Sequence, residues 1–311
     1  MPKPKVNTHL RFANPDYEPD EDFDPDSVLI ARTVAPAINA NMHAERMYQA
    51  ESIYLTALAL SKKGYCVCHG GMPTSIVTEA AREAAALFGE GLMDRGNFTI
   101  DGDEGIVASK REDHIVRLHE HLTRVGGPDH ADVDTLLGLD GALHRFGEAV
   151  CKSLARLDRP QERFGRAPDG GHVHYTGRTD TMVSCYPGGG ARYGVHIDNI
   201  DGDGRRHLDF GRCFTVLYYL NSPEWDEEAD GGSLRIHLLH EALEGSGESG
   251  IPAVDIVPRG DTLVIFRADQ MLHEVRPAKA QRFAMSMWLY GGSDAHHAAW
   301  QEEGASPMGR F

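Results

Sequence analysis

Three side chains in the C-terminal half of the sequence have the types needed to bind an iron ion. His196 and Asp198 form a His-x-Asp pair, and a lone His273 follows in a second strand-like run. Residues i and i+2 of an extended backbone lie on the same face, so both members of the pair can reach one ion. Two imidazoles and one carboxylate fill three positions of an octahedron and leave the others open for co-substrate and dioxygen. The pattern predicts a 2-His-1-carboxylate iron site.

The pair alone is a weak indication, because the chain has 17 histidines. Residues 119–121 (His-Glu-His) and 172–174 (His-Val-His) have the same spacing and carry no such expectation. The context strengthens the prediction, since the pair lies in a strand-like run and Arg282 follows His273 nine residues later. Taken alone, Arg282 would be interpreted as a surface strand residue that pairs with Asp or Glu.

Composition narrows the class of protein. The 311 residues allow one large or two small domains, and 41% hydrophobic with 25% charged residues is typical of a globular protein. We find no membrane span and no signal peptide in the sequence. The five cysteines are odd in number and lack a framework spacing, which favours a reducing intracellular setting, cytoplasmic or nuclear. The net charge of −16 argues against a nucleic-acid partner.

The first part of the chain combines an acidic stretch with helical patterns. Residues 15–26 form an acidic, Pro-punctuated run, so we expect a disordered tail over 1–42 and, less readily, a docking segment. Helices are predicted over 43–62, from Pro73 to about Met93, and over roughly 132–157, with a loop over 94–114.

Cys66 and Cys68 admit two interpretations. They could be a soft-metal pair, but side-chain alternation in a short strand from Gly64 to Cys68 explains the spacing better.

From about residue 179, short β-branched and aromatic runs alternate with Gly, Pro, Asp and Asn. Eight strands of this kind indicate an α+β protein with a double-stranded β-helix (jelly-roll) core, whose supporting N-terminal helices pack on one sheet. We predict helical support over 43–175, the core over 176–292, a single domain over 43–295 and a tail over 296–311. The predicted strands are Thr181–Tyr186, Arg192–Asp198, Cys213–Leu220, Ser233–Leu238, Ala253–Val257, Thr262–Phe266, His273–Arg276 and Arg282–Tyr290.

Several segments between residues 175 and 290 carry a family resemblance. They are 177–179 (Gly-Arg-Thr), 182–188 (Met-Val-Ser-Cys-Tyr-Pro-Gly), 196–199 (His-Ile-Asp-Asn), 202–205 (Gly-Asp-Gly-Arg), 218–221 (Tyr-Tyr-Leu-Asn), 231–236 (Gly-Gly-Ser-Leu-Arg-Ile), 273–275 (His-Glu-Val) with Pro277, and 282–284 (Arg-Phe-Ala) with Trp288. In order and in most spacings the chain resembles the prolyl 4-hydroxylase group of Fe(II)/2-oxoglutarate dioxygenases. Within that group it is most similar to the oxygen-sensing prolyl hydroxylases of hypoxia-inducible factor.

The resemblance implies a role for each matching residue. His196, Asp198 and His273 would bind Fe(II), and Arg282 would hold the distal carboxylate of 2-oxoglutarate. The resemblance also implies co-substrate contacts for Tyr186, Tyr219, Met182, Trp288 and Ser286, and substrate contacts for Arg205, Arg178 and Tyr193. Taken without the resemblance, Tyr186 and Tyr219 are simply amphipathic core residues.

The implied reaction is hydroxylation of proline at C4 in a protein or peptide, coupled to decarboxylation of 2-oxoglutarate to succinate. Dioxygen would be consumed, and ascorbate is expected to stimulate turnover. The same chemistry on a free amino acid or metabolite is the first alternative, and a non-catalytic jelly-roll binding module is the second. The chain departs from the family in extra residues at 206–211 and 239–250, and in the covering loop 94–118, which lacks a Trp near Arg117. These departures leave the protein substrate open.

Overall fold

The computed structural model describes residues 50–69, 71–96, 111–124, 133–157, 174–199, 212–239 and 251–292. The predicted tails, Arg205, the extra residues 206–211 and nearly all of 239–250 lie outside these ranges. The same holds for residues 43–49 of the first predicted helix and for 97–110 of the covering loop.

The described part contains five helices, of which three are long. We label them α1 (Ala50–Lys63), α2 (Thr74–Gly89), α3 (Leu118–Arg124), α4 (Asp134–Arg156) and α5 (Glu227–Asp230). Apolar residues of the long helices, such as Leu60, Leu87 and Phe146, pack in one core with Val216 and Met285 of the sheet. The predicted packing of N-terminal helices on one sheet is thereby confirmed. None of the helices in these ranges is long and apolar enough to cross a membrane.

Two antiparallel sheets form the jelly roll. The major sheet has the order β1-β10-β7-β12-β5-β3-β2, with β4 also pairing β12, and the minor sheet has the order β6-β11-β8-β9. The strands are β1 Tyr65–His69, β2 Asp94–Arg95, β3 His114–Arg117, β4 His174–Arg178, β5 Met182–Tyr186, β6 Ala191–His196, β7 Arg212–Tyr219, β8 Leu234–His237, β9 Ala253–Ile256, β10 Thr262–Arg267, β11 Leu272–Ala278 and β12 Arg282–Gly292.

Alternation along the major strands separates two environments. On β12, Phe283 and Met285 face the helices in the main core, whereas Ala284 packs in a second cluster with Leu234 and Ile236 of the minor sheet. Since side chains alternate between the faces of a strand, even-numbered residues of β12 face the space between the sheets. Arg282, Ser286 and Trp288 are even-numbered and fall on that inner face. The alternation of side chains along β12 therefore determines which of its residues can line a site between the sheets.

Two of the boundaries predicted from the sequence are wrong. The helix predicted to end near Met93 ends at Gly89, and the predicted loop 94–114 begins with β2 and runs into β3. Strands β2, β3 and β4 were not predicted, because they are short, and β4 (His-Tyr-Thr-Gly-Arg) lacks the β-branched, apolar pattern of the other strands. The Cys66-x-Cys68 spacing is strand alternation in β1, as favoured, and both thiols face the helices.

A buried carboxylate fixes the start of α4. The N-cap residue Val133 offers no side-chain acceptor. Glu83 of α2 is almost fully buried, and its two carboxylate oxygens accept hydrogen bonds from the backbone N–H groups of Thr135 (3.0 Å) and Leu136 (2.8 Å). These N–H groups have no partner within their own helix, so Glu83 supplies the missing cap from a neighbouring helix.

Glu83→Gln should lower the free energy of unfolding by about 1–3 kcal/mol, because an amide has one acceptor oxygen for two buried donors. Denaturant unfolding of the purified protein measures the change. Glu79→Gln is the matched control, since Glu79 lies on the same helix and makes only an exposed ion pair with Arg82. Equal stability of the Glu83 variant and wild type would contradict this account of the α4 cap.

Candidate active site

The two predicted histidine ligands lie side by side on the minor sheet. His196 ends β6 and His273 lies in β11, and the two are paired across the strands. Nδ1 of His196 lies 2.8 Å from the carbonyl oxygen of Gly194, and Nδ1 of His273 lies 2.9 Å from that of Met271. A carbonyl accepts only, so both Nδ1 atoms donate and both Nε2 atoms keep a free lone pair. This arrangement fixes the tautomer that a metal ion requires.

Asp198 completes the group from outside the strand. The predicted strand Arg192–Asp198 in fact ends at His196, and Asp198 lies in the bend that follows. Its Oδ1 lies 3.4 Å from Nε2 of His196, and its Oδ2 lies 3.7 Å from Nε2 of His273. Ligand atoms of the three residues all lie within 4.8 Å of one another, and within the described ranges no other His, Cys, Asp and Glu side chains form such a group.

These side chains fit a metal ion in an octahedral site. Adjacent ligands about 2.1 Å from an ion are about 3 Å apart, close to the 3.4 and 3.7 Å that separate the Asp198 oxygens from the two Nε2 atoms. Burial, with His196 nearby, lowers the pKa of His273 to about 4, so its ring is neutral at physiological pH. Burial disfavours ionised Asp198, but His273, His196 and Thr215 outweigh this and hold its pKa well below the usual value. At neutral pH His273 and Asp198 are therefore in the protonation states that bind metal.

A buried guanidinium lies on the inner face of the major sheet. Arg282 is 2% exposed, and its Cζ lies 4.9 Å from the ring centres of both Tyr186 and Tyr219. Its Nε and the hydroxyl of Tyr219 are buried without a hydrogen-bond partner in the described part of the chain. The same part of the chain provides no carboxylate within ion-pair distance of this guanidinium. Interpretation of Arg282 as an exposed, ion-paired strand residue is therefore wrong.

An unpaired buried charge is costly unless a ligand compensates it. Burial raises the pKa values of Tyr186 and Tyr219, with Arg282 opposing, so both phenols stay protonated and can donate to an anion. The two tyrosines are core residues, yet both rings face the guanidinium. Together the three side chains form a cradle suited to one carboxylate group.

Gly232 leaves the space that the Arg282 side chain occupies. It has a φ of +74°, and a Cβ at this position would lie 2.8 Å from Cδ of Arg282. Gly232→Ala should therefore displace the guanidinium and weaken binding of a dicarboxylate by about 10-fold or more, since a shift near 1 Å can cost about 100-fold.

Calorimetric titration with 2-oxoglutarate tests the Gly232 prediction. Gly91→Ala is the control, because Gly91 has a similar φ of +71° but no heavy atom within 4 Å of the added Cβ. Both variants carry the backbone strain of a positive φ, and we expect only the Gly232 variant to lose affinity. Equal affinities in the two variants would contradict the role of Gly232.

The remaining predicted co-substrate residues are buried on the same inner face. Met182 and Trp288 pack in one small cluster, and Ser286 is paired with Met182 across β12 and β5. The indole N–H of Trp288 is buried and, within the described ranges, has no acceptor. Their burial on this face agrees with a shared pocket, and their contacts with a co-substrate stay predictions.

The three residues predicted to contact the substrate lie in different surroundings or outside the described ranges. Arg178 makes a two-point ion pair with Asp140 of α4, at 2.6 and 2.8 Å, and so joins a helix to β4; its contact with a substrate stays a prediction. Tyr193 stacks on the ring of His196, with ring centres 3.8 Å apart, and it therefore borders the metal group. Arg205 lies outside the described residues.

Three side chains next to the site were missed from the sequence. Arg111 lies over the Tyr193 ring and is bound to Asp113 at 2.6 Å. Arg212 lies over the Trp288 ring at 4.1 Å. Thr215 donates to Oδ2 of Asp198 at 2.6 Å. Alternation counted back from Tyr219 places residue 215 on the inner face, but it does not predict the contact with Asp198.

The sequence profile of the 2OG-Fe(II) oxygenase superfamily matches residues 181–290, which include all three candidate ligands and Arg282. This segment of the chain is similar to that superfamily. The matched segment coincides with the strands that build the candidate site, from β5 to β12.

The chain is also similar to two curated proteins over part of their length. Egl nine homolog 1 of Rattus norvegicus is 40% identical over 154 residues, 49% of this chain and 40% of the relative. Hypoxia-inducible factor prolyl hydroxylase of Caenorhabditis elegans is 28% identical over 271 residues, 86% of this chain and 32% of the relative. The chain thus spans about 40% or less of these two relatives.

A solved structure supports the same likeness over most of the chain. The Trichoplax adhaerens prolyl hydroxylase, in complex with a hypoxia-inducible factor peptide fragment, superposes with a TM-score of 0.56 at 26% identity, covering 83% of this chain and 94% of that one. Prolyl 4-hydroxylase of Phytophthora capsici, at 20% identity and a TM-score of 0.52, covers 86% of this chain and 75% of its own; it shares the fold. The predicted jelly-roll class is confirmed.

Proposed function

We propose that this chain is an Fe(II)- and 2-oxoglutarate-dependent dioxygenase that hydroxylates proline at C4 in a protein substrate. The observation that carries the proposal is the buried guanidinium of Arg282, without a carboxylate partner among the described residues, on the inner face of the barrel that holds the His-Asp-His group. A metal-binding module has no use for this second, anion-binding feature. The free-energy cost of burying the charge of Arg282 is explained if a dicarboxylate co-substrate binds beside the metal ion.

The proposal gives each side chain one task. His196, Asp198 and His273 hold Fe(II), and Arg282 holds the distal carboxylate of 2-oxoglutarate through a planar, charge-assisted pair of hydrogen bonds. When bound, iron, 2-oxoglutarate and dioxygen supply the oxidising chemistry, in which one oxygen atom enters a C–H bond and the co-substrate becomes succinate.

The protein contributes orientation and exclusion of water. Tyr219 and Tyr186, whose rings both lie 4.9 Å from Cζ of Arg282, would donate their hydroxyls to the co-substrate. Buried Met182, Ser286 and Trp288 close the pocket wall on the inner face of the major sheet. Tyr193 stacks on His196 and keeps the ring of that ligand in one orientation.

The substrate class follows from the relatives and not from the described side chains. Both the worm relative and the Trichoplax structure are named as prolyl hydroxylases linked to hypoxia-inducible factor, so a proline-containing protein segment is the proposed substrate. The five cysteines, all free thiols, support the proposed intracellular location, cytoplasmic or nuclear. We further propose that ascorbate stimulates turnover.

Succinate formation tests the proposal. Purified protein is assayed with Fe(II), ascorbate and 2-oxoglutarate, with and without a panel of proline-containing peptides, and the peptides are analysed by mass spectrometry. We expect peptide-stimulated succinate and the gain of one oxygen atom on proline. Turnover that no peptide stimulates would favour the same chemistry on a small molecule. An iron-loaded protein that forms no succinate would overturn the enzyme assignment.

A further inference from the structure

The three candidate metal ligands are attached to different sheets. His196 and His273 are paired on β6 and β11 of the minor sheet, which fixes their separation through the strand register. Asp198 lies beyond the end of β6, so no strand pairing holds it. The described residues that hold it belong instead to β7 of the major sheet and to the turn after β10. The geometry of the group therefore depends on contacts between the two sheets.

Three hydrogen bonds of the described residues link Asp198 and its neighbour Asn199 to the major sheet and to the turn after β10. The hydroxyl of Thr215 donates to Oδ2 of Asp198 at 2.6 Å. A guanidinium N–H of Arg212 lies 3.4 Å from the backbone oxygen of Asp198, and the N–H of Asn199 donates to the oxygen of Ala268 at 3.0 Å. Only the Thr215 bond reaches the carboxylate itself, and Thr215 is 1% exposed, so water does not compete for it.

Resting on the proposed function, we infer that Thr215 is the positioning residue that makes Asp198 bind the metal ion through a single oxygen. With Oδ2 accepting the Thr215 hydroxyl, Oδ1 is left for the ion on the side of His196, 3.4 Å from its Nε2. A carboxylate that turned to use both oxygens would occupy a further octahedral position. That position would have to stay open, because a facial group of three ligands leaves three positions for co-substrate and dioxygen.

The effect of Thr215 is separable from its packing. Valine has nearly the same shape as threonine, so Thr215→Val removes the hydroxyl and leaves the volume, whereas Thr215→Ser keeps the hydroxyl. Loss of a hydrogen-bond partner behind a ligand typically weakens metal binding by about 10- to 100-fold. Thr262→Val is the matched control, since Thr262 is equally buried, lies on β10 and bonds to His69 instead of a ligand.

Co(II) is the probe, because its absorption spectrum reports the number and geometry of its ligands without turnover. Full-length wild type and the three variants are titrated with Co(II) without oxygen, and melting temperatures are recorded in parallel. We expect Thr215→Val to bind Co(II) about 10-fold more weakly or worse, with an altered spectrum. Thr215→Ser and Thr262→Val should bind with wild-type affinity and spectrum.

Wild-type affinity and spectrum in Thr215→Val would overturn the inference, and so would an equal loss of affinity in Thr262→Val. Failure of Thr215→Ser to restore binding would also overturn it, because serine supplies the same donor. A wild-type protein that binds no Co(II) or Fe(II) would overturn the proposed function itself. Wild type that binds metal but forms no succinate would overturn only the enzyme assignment, since the Thr215 comparison needs no turnover.

Discussion

His196→Ala and Asp198→Ala should each lower succinate formation by more than about 100-fold, beyond the usual cost of removing a partner behind a ligand. Each change removes one of three ligands, and the two that remain cannot hold Fe(II) in a fixed geometry. Anaerobic titration with Fe(II) should show the same loss, so the defect is in metal binding and not only in chemistry.

A second histidine substitution separates this loss from a general effect on the fold. His119→Ala is the control: the side chain is 52% exposed, lies on α3 and contacts Asp140 at 3.3 Å. It also belongs to a His-x-His stretch of the sequence. The comparison therefore tests whether an i, i+2 spacing alone is enough for metal binding or whether the histidine must lie in the candidate site. We expect near-wild-type metal binding in this variant. A His196→Ala protein that keeps wild-type affinity for Fe(II) would refute the assignment of the ligands.

Residue types, spacing and the family resemblance together predicted the ligand group. His196, Asp198 and His273 were selected from 17 histidines and 47 acidic residues, and the structure brings them together. The eight predicted core strands correspond to β5–β12, because their β-branched and aromatic runs are interrupted by Gly, Pro, Asp and Asn at the turns.

Local patterns could not predict how Asp198 is held. The same-face argument for an i, i+2 pair assumed a strand that reaches residue 198, yet the strand ends at His196. Asp198 depends on a hydroxyl 17 residues away on the opposite sheet, and such a contact follows from the packing of two sheets and not from any period. Likewise, whether Arg282 pairs with an acid depends on which side chains surround it between the sheets.

Arg282→Met should abolish the response to 2-oxoglutarate while leaving metal binding intact. Loss of one member of a buried, hydrogen-bonded charge pair costs about 2–5 kcal/mol, so affinity for the co-substrate should fall by at least about 30-fold. The co-substrate should raise the melting temperature of the wild type and not that of the variant, because a ligand stabilises only the protein that binds it. Unchanged 2-oxoglutarate affinity would show that another group binds the carboxylate.

The ligand-free proteins offer a sharper contrast, because two buried arginines differ in one respect. Arg267 is 0% exposed and pairs with Asp269 at 2.7 Å, whereas Arg282 is 2% exposed and has no such partner among the described residues. Arg267→Met should lower the free energy of unfolding by about 3–5 kcal/mol, since Asp269 would be left as a buried, unpaired charge. Arg282→Met removes a buried charge that has no carboxylate partner among the described residues, so the ligand-free variant should be at least as stable as wild type. Denaturant unfolding without 2-oxoglutarate measures both, and a large destabilisation in Arg282→Met would mean that this arginine serves the fold and not an anion.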